Sequence, residues 1–247
     1  MVIRRIREHV ATQNWFAVGI DFLIVVAGIV IGTKVNNWNQ TRIEREQGKE
    51  YRERLIADLR ANETDFVDRK AYYGTVRKHA NSALAALDRP VGENGAAFLV
   101  DAYIASHILV RHPKRFTYDE LISTGRFGEI GDAGLREHVA EYYVRLAANQ
   151  AVFSVLPPYR DYIRERMPNV AQQAIRSQCG VVLADLPRNC VIRLEPAVVS
   201  RSVEAIRSSP AMITGLTRVI ADLDVKLWLL DSLIERERKM RSMIEKA

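Results

Sequence analysis

The chain has 247 residues, a formal net charge of +6 and 48% hydrophobic residues. This length suits one large domain or two small ones, and 27% charged residues with few Gly and Pro exclude a disordered chain. Basic and acidic residues alternate, as in TRIEREQGKEYRER at 41–54, which is typical of solvated helix faces with i,i+4 ion pairs. We therefore expect no nucleic-acid partner, since phosphate binding requires clustered positive charge.

An apolar segment near the N-terminus, residues 15–35, reads WFAVGIDFLIVVAGIVIGTKV. As an α-helix its apolar portion would be about 25 Å long, and the flanking Trp15 and Trp38 extend it across a bilayer, with each ring in the interface. The segment thus predicts a transmembrane helix. A cleaved signal peptide and a buried soluble helix are the alternatives. The first lacks a small-residue cleavage site, and in the second only Asp21 would interrupt the apolar surface.

Three residues within this segment are candidates for helix packing in the lipid bilayer. Gly28 and Gly32 form a GxxxG pair, which lets two helix backbones approach closely. Asp21 either stays hydrated near the interface or contacts a polar group on a neighbouring membrane helix. The expected partner is a second copy of the chain or another membrane protein.

The two cysteines bear on the compartment. Cys179 and Cys190 bracket the loop GVVLADLPRN and are predicted to form a disulfide, the alternative being two reduced thiols. The histidines show no ligand spacing near them, so no metal site is expected. Basic residues after the membrane helix favour a cytoplasmic C-terminus, whereas a disulfide requires an oxidising compartment. We predict a cytoplasmic tail at 1–14 and a periplasmic domain at 36–247.

The rest of the chain predicts helices. Apolar positions from Tyr51 to Leu87 recur at three or four residues, with one double step, and indicate a long helix continuing from the membrane segment. A second helix is predicted from residue 96 to near Pro113. The C-terminal helix shows a seam with coiled-coil spacing at Ile213, Leu216, Ile220, Leu223, Leu227, Leu230 and Ile234.

Local signals divide the middle of the chain. Thr117 and Glu120 predict a capping box whose helix ends at Gly125, and Asp132 is expected to cap the next helix. Pro157 and Pro158 must interrupt that helix. Residues 158–178 are predicted helical and 191–199 irregular or extended. The predicted fold is an all-α bundle packed on a long, membrane-connected helix.

Motifs of known chemistry are missing. The sequence has no P-loop, no HExxH and no nucleophile-elbow serine, so we expect neither an enzyme with catalytic residues nor a bound cofactor. The densest polar-aromatic cluster lies at a turn, where Tyr118, Glu120 and Arg126 are candidates for ligand or partner contacts. The alternative is that they cap helices and fix the turn.

Two stretches carry a family resemblance. The membrane exit GIVIGTKVNNWNQTR at 28–42, with an acidic residue near the start of the helix, resembles a bacterial family of single-pass membrane proteins of unknown function. TYDELISTGRFGEIGDAGLREHVAEYY at 117–143 is similar to a second marker of that family. Thr33 and Lys34 depart from its usual Ala-Leu-Gln pattern. The resemblance implies a single-pass membrane architecture and supplies no activity or site residues.

Two functions are therefore expected. The first is a membrane-anchored interaction or scaffold protein, and the second is a ligand-sensing periplasmic module that signals through a membrane partner. A deep pocket that gathers polar residues from several helices would favour sensing. A solid core with an exposed apolar stripe would favour scaffolding.

Overall fold

The computed structural model describes residues 15–88, 94–180, 186–187 and 189–247, without the side chains of residues 15, 17 and 18. The predicted tail at 1–14 and the side chain of Trp15 lie outside this description. The helices are α1 (Trp15–Leu87), α2 (Gly95–Ala105), α3 (Phe116–Ser123), α4 (Ala133–Ser154), α5 (Pro158–Arg166), α6 (Asn169–Gln178), α7 (Pro196–Arg207) and α8 (Ala211–Glu245). A 3₁₀ turn spans Arg126–Ile130. The described residues contain no strand, so the predicted all-α fold is confirmed.

The chain divides into two compact units, residues 1–51 and 52–247. In the described part of the first unit, α1 is long and apolar enough to cross a membrane. Its apolar side chains are exposed, as is Trp38 at 68%. Gly28 and Gly32 have open space where a Cβ would stand, so no other part of this unit covers them.

In the second unit, α1 buries a seam of residues at alternating steps of four and three. It consists of Leu55, Leu59, Asn62, Phe66, Arg69, Tyr73, Val76, Ala80 and Ala83. Two polar residues occupy positions that the apolar pattern alone does not mark. The Asn62 side chain donates to the Lys114 carbonyl (2.9 Å) and accepts from the Lys114 N–H (2.6 Å). Arg69, fully buried, pairs with Asp65.

Helix α8 runs antiparallel to this part of α1. Ion pairs between Lys70 and Asp231 and between Arg77 and Asp224, both at 2.5 Å, define the direction. The buried seam of α8 again alternates four and three: Met212, Leu216, Val219, Leu223, Lys226, Leu230, Leu233, Glu237, Met240 and Ile244. The predicted seam was therefore partly wrong. Ile213 is 52% exposed, and Ile220 and Leu227 are only half-buried.

Three predicted boundaries also require correction. Helix α2 ends at Ala105, well before Pro113, because the Tyr73 hydroxyl donates to the Leu109 carbonyl (2.9 Å) and accepts from the Leu109 N–H (3.3 Å). These two hydrogen bonds take the place of the backbone hydrogen bonds that Leu109 would make in a longer helix. The predicted helix at 158–178 divides before Pro168. Pro196 begins a helix, since its ring suits the first helical position.

Around α3 the local predictions had mixed outcomes. The capping box is not formed, because the Thr117 N–H donates to Asp58 Oδ2 (3.2 Å) instead. The predictions for the next residues are confirmed. Gly125 takes a left-handed conformation (φ 70°) after the helix, and the Asp132 carboxylate accepts from the Leu135 N–H (2.8 Å) at the start of α4. Helix α4 ends before Pro157, as expected.

Candidate ligand site

A cavity of about 240 Å³ lies in the second unit, between α1, the segment that follows α2, the end of α4 and the middle of α8. Most of its walls are apolar: Tyr73, Ala105, Ile108, Val152, Val155, Pro157, Val219, Leu223 and Val225. Four polar side chains complete the lining: His107, Arg218, Asp222 and Lys226.

The cavity follows from two helix ends. Helix α2 stops at Ala105 and α4 stops at Ser154, so neither continues alongside α8 at this level. Pro157 cannot extend α4, because proline lacks the N–H that the helix needs. The hydrogen bonds between Tyr73 and Leu109 hold the segment after α2 against α1. Space therefore remains beside α8.

Lys226 is the most unusual group in the lining. Only 7% of the residue is exposed, and it has no hydrogen bond or ion pair with any residue that the structure describes. Its ammonium stands 5.4 Å from the centroid of the Tyr73 ring, a cation–π distance. Burial lowers the pKa of Lys226, and the carboxylate of Asp222, one turn earlier, opposes that shift. An ammonium that loses water without gaining a direct ion pair costs free energy, so such groups are rare in purely structural positions.

The other polar groups shape the charge of the cavity. Burial lowers the pKa of His107 to about 4, with a further contribution from the positive charge of Arg164. The imidazole is therefore neutral at pH 7. Its Nδ1 donates to the Tyr103 carbonyl (3.0 Å), which leaves Nε2 as an acceptor. Arg218 and Asp222 are exposed at the opening. The positive charges of Arg218 and Lys226 and the negative charge of Asp222 give the lining a net charge of +1.

The residues predicted as ligand or partner contacts lie elsewhere and have partners within the chain. The Tyr118 ring stacks on that of Tyr143 with centroids 4.1 Å apart. Glu120 pairs with Arg54 on α1, and Arg126 bonds to Glu129 (2.9 Å). These contacts join α3 and the 3₁₀ turn to their neighbours, which agrees with the alternative reading of the cluster.

Sequence reasoning missed Lys226, although a signal existed. Its position falls on the four-three seam of α8 once Val219, Leu223 and Leu230 are taken as buried. A lysine at a seam position of a helix indicates either an internal ion pair or a binding role. The apolar residues Ile220 and Leu227, immediately beside the true seam, concealed this register.

A second concavity, a groove of about 770 Å³, lies beside the predicted cysteine pair. The structure joins Cys179 and Cys190 in a disulfide, with Cα atoms 5.5 Å apart. His79 lines the groove, but both of its ring nitrogens have internal partners: Asp101 Oδ1 (2.6 Å) and the Pro187 carbonyl (3.0 Å). This histidine ties the disulfide loop to α1 and α2 and leaves no ring nitrogen for a ligand.

Comparisons with protein-family models, with curated proteins and with solved structures give no match. The resemblance of residues 28–42 and 117–143 to a family of membrane proteins stays a prediction.

Proposed function

We propose that this chain is a single-pass membrane protein whose helical domain binds a small organic ligand. The binding site is the cavity of about 240 Å³ that Lys226 borders, here called the Lys226 cavity. The observation that carries the proposal is a lysine, 7% exposed and without a hydrogen bond or ion pair among the described residues, at the wall of a mostly apolar cavity. Ligand sites in proteins typically combine apolar walls with a few polar groups that orient the ligand. The lining comes from α1, α2, α4 and α8, whereas its polar groups come from α8 and from His107 after α2. An open space among these elements favours ligand binding over a solid structural core.

The size of the cavity supports a small occupant. An apolar cavity of about 150 Å³ is large enough to hold benzene. At about 240 Å³, the Lys226 cavity has room for an aromatic ring with a short side chain. A sensing module of this kind would report occupancy to a membrane partner, for which Asp21, Gly28 and Gly32 remain the proposed contacts.

We place residues 15–35 in a bacterial inner membrane, the tail at 1–14 in the cytoplasm and residues 36–247 in the periplasm. The exposed apolar residues of α1 support the membrane segment. The bond between Cys179 and Cys190 supports an oxidising compartment for the domain, because thiols of cytoplasmic proteins are kept reduced.

A scaffold role is the second candidate. Val225 and Trp228 leave 51% and 68% of their surface exposed on α8, although both are large apolar residues. Separated by three positions, they lie on neighbouring parts of one helix face. If this face binds a second copy, Trp228→Gln will lower the fraction of cross-linked dimer in the membrane. An unchanged fraction would leave ligand binding as the function to pursue.

Binding can be tested with a neutral probe. The full chain is placed in phosphatidylcholine nanodiscs and dialysed against 3-phenylpropanamide, with empty nanodiscs as the blank. We expect saturable uptake of one molecule per chain. Ala105→Leu, which adds bulk to a buried wall position, should reduce the affinity about tenfold or more, because the probe and the new side chain compete for the same volume.

Ala148→Leu is the matched control, since Ala148 is an exposed residue of α4 that receives the same substitution. It should leave binding unchanged. Uptake no greater than that of empty nanodiscs, or equal uptake by the Ala105→Leu protein, would show that the cavity does not bind such molecules.

The orientation is tested by thiol labelling in intact cells with a membrane-impermeant reagent. We expect Cys179 and Cys190 to be labelled only after an external reductant is added. Free thiols that react only after the inner membrane is lysed would reverse the proposed orientation and place the domain in the cytoplasm.

A further inference from the structure

The charge and shape of the cavity allow the ligand class to be narrowed, an inference that rests on the proposed function. We propose that the ligand is a small monocarboxylate with an apolar body, held with its carboxylate against the Lys226 ammonium and its body against the apolar walls. The occupant would supply the counter-ion that Lys226 lacks within the described chain.

The electrostatics of the site favour one negative charge. Lys226 and Arg218 bring two positive charges to the lining and Asp222 brings one negative charge. Two further cations, Arg160 and Arg164, are close enough to His107 to lower its pKa. A carboxylate in this field gains a charge-assisted hydrogen bond, which is stronger than a neutral one. It also replaces part of the hydration that the ammonium loses on burial.

The remaining groups argue against a more highly charged ligand. Neutral His107 offers an acceptor rather than a positive charge, so it would not bind a second carboxylate. Asp222 at the opening would repel one. A phosphate dianion requires several donors, whereas the buried part of the lining provides one ammonium. The body of the ligand meets the Tyr73 ring and the aliphatic side chains of Ile108 and Val152.

The experiment compares two probes of nearly equal shape. The full chain in phosphatidylcholine nanodiscs is dialysed at pH 7 against 3-phenylpropionate and against 3-phenylpropanamide, which differ in charge. We expect the carboxylate to bind at least about tenfold more tightly than the amide, corresponding to one charge-assisted hydrogen bond. In Lys226→Met this preference should disappear. Lys239→Met, the same change at an exposed position of α8, should keep it.

The wild-type comparison decides the proposal even if a variant fails to fold. Equal affinities for the two probes would overturn the carboxylate assignment and leave the proposed function standing, whereas no uptake of either probe would overturn both. Preference that survives in Lys226→Met would also overturn the assignment, because the carboxylate would then bind elsewhere. As a second readout, the preference in wild type should fall as the pH rises through the lowered pKa of Lys226, since the neutral amine attracts no anion.

Discussion

Two ionisable residues interrupt the apolar seam of α8, and their surroundings differ. Lys226 and Glu237 are both buried, at 7% and 0% exposure, and both occupy positions of the four-three spacing. Lys226 borders a cavity and has no bonded partner within the described chain. Glu237 instead accepts a hydrogen bond from the Tyr142 hydroxyl of α4. The comparison shows that two ionisable residues at equivalent seam positions can differ in whether the neighbouring helices supply a partner.

The Glu237 end of the seam is held together by neutral groups. Burial raises the pKa of Glu237 to about 8, and the Tyr142 hydrogen bond opposes this shift. The carboxyl is therefore mainly protonated at pH 7. Burial also raises the pKa of Tyr142, so its hydroxyl keeps its proton and remains the donor. This arrangement is a structural link between α4 and α8.

Among the substitutions that test the contrast between Glu237 and Lys226, Tyr142→Phe should change the free energy of unfolding most. The change removes the donor to Glu237 and leaves a buried carboxyl without it, which makes the Glu237 end resemble the unpaired Lys226 end. We expect the free energy of unfolding to fall by about 2–3 kcal/mol, measured by urea denaturation of the full chain in detergent micelles. Binding at the Lys226 cavity should be unaffected in the folded protein.

The neighbouring tyrosine provides the control. The Tyr143 hydroxyl is buried and has no hydrogen-bond partner among the described residues. Tyr143→Phe should therefore leave the free energy of unfolding nearly unchanged or slightly higher. Equal destabilisation by both substitutions would mean that ring packing, rather than the bond to Glu237, supports this end of the seam.

Glu237→Gln should change the free energy of unfolding less than Tyr142→Phe does, and by an amount that depends on pH. Because the folded pKa lies above the ordinary value of 4.5, the folded chain keeps a proton that the unfolded chain loses, and stability falls as the pH rises toward 8. His107, whose folded pKa is about 4, has the opposite effect, but only below pH 6.5.

Between pH 6.5 and 8 we therefore expect wild type to lose about 2 kcal/mol of unfolding free energy. Glu237→Gln should show little slope in this interval, and urea midpoints at three pH values are sufficient to measure it. A slope that persists in Glu237→Gln would contradict the raised pKa.

The sequence predicted several features that depend on neighbouring residues, although the capping box at Thr117 and Glu120 was wrong. Asp132 caps the start of α4 and Pro157 follows its end, because capping and the lost proline N–H act locally. The register of the seams depends on distant partners and was only partly found. Asn62 is buried because the Lys114 backbone satisfies its amide. The Lys226 cavity could not be predicted, since it arises where two helix ends, Ala105 and Ser154, meet α8.

The smallest predicted change in the free energy of unfolding, that of Lys226→Met, shows most clearly how the role of Lys226 differs from that of Glu237. Lys226→Met keeps the apolar stem of the side chain and removes an ammonium that has no direct ion pair or hydrogen bond among the described residues. We expect the free energy of unfolding to rise by about 1 kcal/mol, because the desolvation cost of the charge disappears while the packing stays. Glu237 has no comparable substitution, since any apolar replacement strands the Tyr142 hydroxyl. A residue whose replacement stabilises the protein but removes the preference for the carboxylate probe acts in binding rather than in stability. Destabilisation by Lys226→Met would instead assign the lysine a structural role at the Tyr73 ring.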